Sequence, residues 1–353
     1  MTVVRCLIPR PLPEAPPYRA SWLDHFFDWV RRVPGPTWLF YLSLWALLFL
    51  LFSGLGWLEE LQPLGLSLLV AADEALYFVY YLALMHYLDG TAGHALRQFR
   101  PMLQVSDSEF ARLEYELTTL PAGSTLLAGG VGLLVTLVSL FFTPTDTILA
   151  QVIRQPSTQL AFLIGNAIVA IFVYHTIRQL RMVSRIHAIV PRLNLYRRGP
   201  IYAFSQLTAR TALGWMLGLS LGLSPRVAPL LTPESLGLLW LPIVPLAALL
   251  FVLPLVGVHR LLSREKARLQ DEVEQRVEAV LLRVHRQQDT NDLTDLGELK
   301  TLLDTLLVEQ EMVSKMPTWP WRPGTLAGFT SALLLPLAIW LLQQLLTNWL
   351  PVE

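Results

Sequence analysis

The sequence predicts an all-α, polytopic integral membrane protein: seven transmembrane helices, with a cytoplasmic antiparallel helical hairpin between the sixth and seventh. Three observations carry that prediction. Of 353 residues, 53% are hydrophobic and only 15% charged, with a mean hydropathy of +0.47. A soluble domain carries about 25% charged residues, so this chain lacks the polar surface for a water-soluble particle of its size. Seven apolar stretches approach the ~20 residues needed to cross ~30 Å of hydrocarbon. They lie at roughly 37–57, 66–88, 123–143, 158–177, 202–223, 236–258 and 325–349. When the loops between them are sorted alternately to two sides, 24 of the 27 basic residues fall on one side. Only Arg154 and Arg226 fall on the other, with Arg210 inside a span. Such an asymmetry marks the cytoplasmic side, so the N-terminus is expected inside and the C-terminus outside. A prokaryotic plasma membrane is the simplest location, and the lipid bilayer is the first partner.

The elements follow in order. Residues 1–36 form a cytoplasmic preamble. Five prolines between 9 and 17 favour an extended linker. From Ser21 to Arg32, Trp22, Leu23, Phe26, Phe27 and Val30 share a helical face, Ser21 with Asp24 reads as a capping box, and Pro34 ends the helix. This amphipathic helix is expected at the membrane interface or packed on the protein itself. Residues 37–258 hold six spans, with aromatic residues such as Trp38, Trp57 and Trp240 near helix ends. The loop over 89–122 is mixed in charge and expected to be helical around 106–119. Its Asp89-Gly90 pair shares a dipeptide with a phospholipid-synthesising transferase motif but has neither its spacing nor its later aspartates, which excludes that chemistry.

Residues 259–323 are the largest polar piece. Leu269, Val273, Val277, Val280 and Val284 recur at helical spacing, and Leu296, Leu299, Leu303 and Leu306 do so after a polar break. Two stripes and one turn predict the hairpin. Its stripes either close on each other or, through 262–315, meet a second copy or a cytoplasmic protein. Met316 to Pro323 carries three prolines and two tryptophans, an interfacial elbow before the last span and the external C-terminus over 324–353.

An ionisable group in hydrocarbon costs roughly 2.5–3.5 kcal/mol at a helix centre and so asks for a reason. Asp73, Glu74 and Arg210 are the ones inside spans. Counted at 1.5 Å per residue from the span midpoints, the acids lie about 5 Å to one side of the midplane and Arg210 about 4 Å to the other. One acid–Arg210 pair is therefore expected, with one carboxylate left over to be protonated, solvated or matched by a cation. Tyr77, Tyr80 and Tyr81 follow within two turns, with His86 nearer the cytoplasmic end. In the fourth span Asn166 lies near the middle, and Tyr174 and His175 near the cytoplasmic end. The set is either a transport site or a polar cluster satisfied internally. Gly214, Gly218 and Gly222 form a small-xxx-small repeat for close helix packing.

Other chemistries find no support. The chain has no HExxH, Walker, GxGxxG or GxSxG motif. Cys6 is its one cysteine, so no internal disulfide or thiolate metal site is available. No metal, cofactor or enzyme activity is expected, and zero net charge gives no nucleic-acid signal. Two functions remain: a channel or carrier for protons or small cations, and a non-transporting signalling or scaffold protein acting through its hairpin.

Overall fold

The computed structural model describes residues 15–58, 64–142, 156–189, 202–222, 233–290, 296–319 and a few positions from 321 to 331. The linker over 9–17 and the seventh span over 325–349 lie almost wholly outside these residues.

Among the described residues the chain is all-helical, with nine α-helices and a single antiparallel bridge between Ala20 and Pro121. In chain order they are α1 (Trp22–Arg32), α2 (Thr37–Leu58), α3 (Leu64–Phe99), α4 (Asp107–Thr118), α5 (Ala122–Phe142), α6 (Pro156–Ile189), α7 (Ala203–Gly222), α8 (Pro233–Thr290) and α9 (Leu296–Ser314). Three of them, α2, α5 and α6, are long and apolar enough to cross a membrane. The outer surface of α5 suits that medium. Leu127 is 71% and Phe141 83% exposed, and a run of leucines and valines shares the face. In water so large an apolar patch would drive aggregation, whereas in lipid it is ordinary contact surface.

Capping chemistry sets the short helices. Ser21 caps α1 and shares a capping box with Asp24; Ser106 and Glu109 do the same for α4. The Ser106 backbone N–H and hydroxyl hold Glu109 below the usual carboxylate range.

Two helices outrun the apolar stretches that predicted them. α3 continues to Phe99 because Leu88, Ala92, Ala95, Leu96 and Phe99 keep a buried stripe at helical spacing after the hydropathy has fallen. α6 continues to Ile189 on Leu180, Val183 and Ile186 for the same reason. The stretch predicted as a sixth span and the first hairpin arm are one helix. α8 runs unbroken for 58 residues through Pro242, Pro245 and Pro254, about 87 Å at 1.5 Å per residue. Its far end pairs with α9, where Val280, Leu299 and Leu306 are buried against Val277, Val284 and Leu303. The two predicted stripes therefore close on each other. At the elbow, Trp321 stacks on Trp319 at 4.4 Å and Trp319 on His259 at 4.1 Å.

α3 is the central helix, in contact with α2, α4, α6 and α7. Its register with α7 is antiparallel. A Cβ on Gly214 would meet Leu84 at 2.7 Å, and one on Gly218 would meet the Tyr81 oxygen at 2.6 Å. These glycines thus pack helices within one chain; Gly222 closes α7.

At one end of the bundle α1, α4 and the extensions of α3 and α6 form a polar collar. Backbone bonds stitch the start of α1 to the α4–α5 joint: Ser21 N–H to the Leu120 carbonyl at 3.0 Å, and Ala122 N–H to the Arg19 carbonyl at 3.1 Å. Glu116 of α4 accepts from Arg112 at 2.9 Å and from Arg185 of α6 at 3.3 Å. Arg178 of α6 sits over the Tyr18 ring at 5.0 Å and donates to its hydroxyl. Burial pushes the Tyr18 phenol well above its ordinary range, so the hydroxyl keeps its proton and donates to the Thr119 carbonyl at 2.9 Å.

Candidate functional site along α3

The α3 helix carries ionisable groups at both ends of its apolar stretch. At the first end Glu74 is buried and Asp73 half-buried. The neighbouring Ala71 and Ala75 pack with Phe52 of α2 and Ala161 of α6, and the Trp45 indole donates to the Ala72 carbonyl at 3.1 Å.

Arg210 does not join them, contrary to the depth argument from sequence. Its guanidinium is 3.3 Å from the Thr91 hydroxyl and 5.4 Å from the Tyr87 ring centre. Thr91 lies 17 residues beyond Glu74, about 25 Å along the helix. The helix register explains the correction. With Gly218 against Tyr81 and Gly214 against Leu84, a position one turn earlier in α7 falls opposite Tyr87 and Thr91. The midpoints of two apolar stretches therefore did not mark a common depth. Arg210 is exposed at the collar end rather than buried as a counter-ion.

The tyrosines lie between the two ends. Tyr77 packs against Gly165 of α6 and edge-on to Tyr81 at 5.0 Å. Tyr80 donates to the Gly214 carbonyl at 2.7 Å. Tyr81 is fully buried against Phe172, with ring centres 5.1 Å apart. Asn166 is half-buried on α6, and its carbonyl faces Gly132 of α5.

The two histidines hold separate places. His86 joins α1, α2 and α3. Phe27 stacks on its ring at 5.0 Å, Arg31 Nε donates to Nε2 at 3.1 Å, and Nδ1 bonds the Tyr41 hydroxyl at 2.9 Å. A guanidinium can only donate, so Nε2 holds the lone pair and Nδ1 carries the proton. Such a histidine is a neutral structural tie.

His175 is different. Its Nε2 lies 2.9 Å from Oδ1 of Asp89 on α3, and both side chains are only 3% exposed. Gln179 donates to the same oxygen at 3.5 Å. Among the described residues, His175 Nδ1 and Gln179 Oε1 are buried with no hydrogen-bond partner. A carboxylate accepts, so Nε2 donates and Nδ1 is the free ring nitrogen. Another buried acid stands in the collar. Oδ2 of Asp24 accepts from Ser21 N–H at 3.1 Å, Ser21 Oγ at 2.6 Å and Leu120 N–H at 3.0 Å. Burial, and then the charge of Asp89, hold its carboxyl above the usual carboxylate range against those donors.

Sequence reasoning found His175 but missed Asp89, Gln179 and Asp24. Asp89 falls just past the predicted end of the span, and the local sequence around Asp24 reports only a cap. The overlooked signal is the helical period of Leu88, Ala92, Ala95 and Phe99 around Asp89. Among the described residues no group of three or more His, Cys, Asp and Glu side chains could hold a metal ion. Comparison with known protein families, with curated proteins and with solved structures finds no match.

Proposed function

We propose that the protein is a seven-span channel or carrier for protons or small cations, with α3 as the conducting element. The observation that carries this reading is the buried Asp89–His175 pair with its free Nδ1. A proton taken up at Nδ1 makes an imidazolium whose counter-charge is already 2.9 Å away on the other ring nitrogen. That counter-charge offsets part of the cost of holding the imidazolium in a low-dielectric site. Gain and loss of the proton leave the hydrogen bond in place, which suits reversible loading. Tyr81, Met85 and Phe172, all essentially inaccessible, form a seal beyond the pair. Tyr77 and the Asp73–Glu74 pair lie on the far side of that seal. Intramembrane acids and histidines in series are the usual parts of proton relays.

The topology needed for transport has its own support. Residues 18–32, 97–120 and 178–187 meet in one collar, so the chain leaves that end through α2 and returns to it through α3. α5 with α6, and α7 with α8, repeat the excursion. In this orientation the collar and the hairpin are cytoplasmic, matching the basic residues.

The test is proton and monovalent-cation flux in proteoliposomes, comparing the unaltered protein with Asp89→Asn, His175→Gln and an Asp73→Asn, Glu74→Gln double variant. Each variant is first matched for folding by thermal melting. Flux is expected in the unaltered protein and is expected to fall to the leak of empty liposomes when Asp89 or His175 is changed. Undiminished flux in all three variants overturns the site. Absence of flux from the unaltered protein overturns the function and leaves the hairpin scaffold as the reading to pursue.

A further inference from the structure

Of the two places the sequence leaves open for α1, the membrane interface or the protein itself, its main apolar face takes the second. Leu23, Phe27 and Val30 are 0%, 1% and 3% exposed and belong to the main protein core, alongside Leu88, Leu96 and Phe99 of α3. On the opposite side a second stripe remains. Trp22, His25, Trp29 and Arg32 recur every three or four residues, and all four are exposed, Trp22 at 46% and Trp29 at 55%. Exposed indoles, a histidine and an arginine on one edge are not what a water-facing helix needs.

What covers this edge is indicated by what it adjoins. Trp29 packs edge-on against Phe40 in the first turn of α2, with ring centres 5.5 Å apart. The first two turns of α2 present Trp38, Leu39 and Leu42, all exposed, on a helix apolar enough to cross a membrane. The α1 stripe thus continues a lipid-facing surface at the depth where α2 begins. Its chemistry selects the lipid. The stripe carries Arg32 and His25 with no acid among its four residues, Arg19 lies exposed just before it, and the flanking Asp28 is engaged by Arg31 at 3.2 Å. His25 bonds the Ser21 carbonyl through Nδ1 at 2.6 Å, so that nitrogen donates.

We infer that the Trp22–His25–Trp29–Arg32 edge of α1 is a binding surface for anionic phospholipid headgroups of the leaflet in which α2 begins. Indoles favour the headgroup region, and each basic residue there gains from the negative surface potential. The same helix is held to the bundle by its other face. Lipid binding therefore bears directly on the collar that contains Asp24 and lies beside Asp89.

The test uses the full chain in unbrominated phosphatidylcholine vesicles containing trace lipid brominated near the headgroup, either phosphatidylglycerol or phosphatidylcholine. The chain has 11 tryptophans, so the stripe's fluorescence is isolated as the difference between the unaltered protein and a Trp22→Phe, Trp29→Phe variant. Brominated phosphatidylglycerol is expected to quench this difference signal with about fivefold higher relative affinity, the worth of about one basic residue at such a surface. Arg32→Gln is expected to abolish the preference while leaving quenching by the zwitterionic lipid. Equal quenching by both lipids in the unaltered protein overturns the anionic selectivity. Quenching by aqueous iodide but by neither lipid overturns the surface itself. Neither result bears on ion flux, so this inference and the proposed transport function fail separately.

Discussion

Asp24 shows how much one side chain can carry in this protein. Its single oxygen Oδ2 closes the capping box of α1 and also accepts the Leu120 backbone N–H from the α4–α5 joint. Removing it would unmake the cap and leave a buried N–H without a partner. Asp24→Ala is therefore expected to cost about 3 kcal/mol, about 1 for the cap and the rest for the stranded donor. Asp24→Asn keeps an acceptor oxygen in place and should cost far less. The charge adds a pH dependence with a definite sign. Because burial and Asp89 raise the carboxyl above its ordinary range, the folded protein binds the proton more tightly than the unfolded chain. The associated stability is complete below the ordinary carboxylate value of about 3.9 and is lost as pH rises through the raised value. The melting temperature of the unaltered protein minus that of Asp24→Asn should therefore increase on acidification from pH 7 towards 4. Taking the difference cancels the other titrating groups. A flat difference, or one that shrinks on acidification, would refute the assignment. The capping role was legible from Ser21 and Asp24 alone. The reach to Leu120 was not, since nothing local in a sequence reports a partner 96 residues away.

At the scale of elements, glycine contacts decide how closely the helices pack, and they differ in what they touch. A Cβ on Gly132 of α5 would lie 2.7 Å from the Asn166 carbonyl oxygen and 2.9 Å from the Ala167 Cα, both backbone atoms of α6. At Gly214 the obstacle is the end of the Leu84 side chain, and at Gly130 there is nothing within 4 Å. Backbone cannot step aside without moving a helix, whereas a leucine can change rotamer. Gly132→Ala is expected to destabilise by about 1–3 kcal/mol, Gly214→Ala by less, and Gly130→Ala to be neutral or slightly stabilising because alanine suits a helix better. Denaturant unfolding midpoints in detergent measure the order; equal effects at 130 and 132 would refute it. The Gly214–Gly218–Gly222 repeat and the apolar stretches are legible in the sequence, because composition and period are local properties. It did not show which helix each glycine meets, so Arg210 was matched to the wrong turn of α3. The ends of α3 and α6 were hidden too, because their extensions are amphipathic rather than apolar.

For the whole molecule, the open question is how many helices cross the membrane, and the collar sharpens it. Among the described residues, α2, α5 and α6 are the helices apolar enough along their length to be recognised as spans by composition. α3 and α7 carry polar groups that they bury against each other and against α6, as Trp215 does in donating to Thr176 at 3.1 Å. A helix that packs its polar side inward can cross lipid with a lower overall hydropathy. A chain crossing only at α2, α5 and α6 would place the N-terminal helix and residues 97–120 on opposite sides of the bilayer, yet Ser21 and Leu120 share a hydrogen bond. The two counts can be separated with cysteines, because Cys6 is the only natural one. In a Cys6→Ser background we expect Thr145→Cys and Ser224→Cys to react with an impermeant maleimide on intact cells. Ser108→Cys and Asp289→Cys should react only after permeabilisation. Ser224 is the decisive position. Seven spans put it on the same side as Thr145, because α6 and α7 both intervene, whereas three spans put it on the opposite side. Labelling of Ser224→Cys together with Ser108→Cys, and apart from Thr145→Cys, would remove α7 from the membrane. The proposed relay along α3 would then lose the helix whose glycines pack against Tyr81.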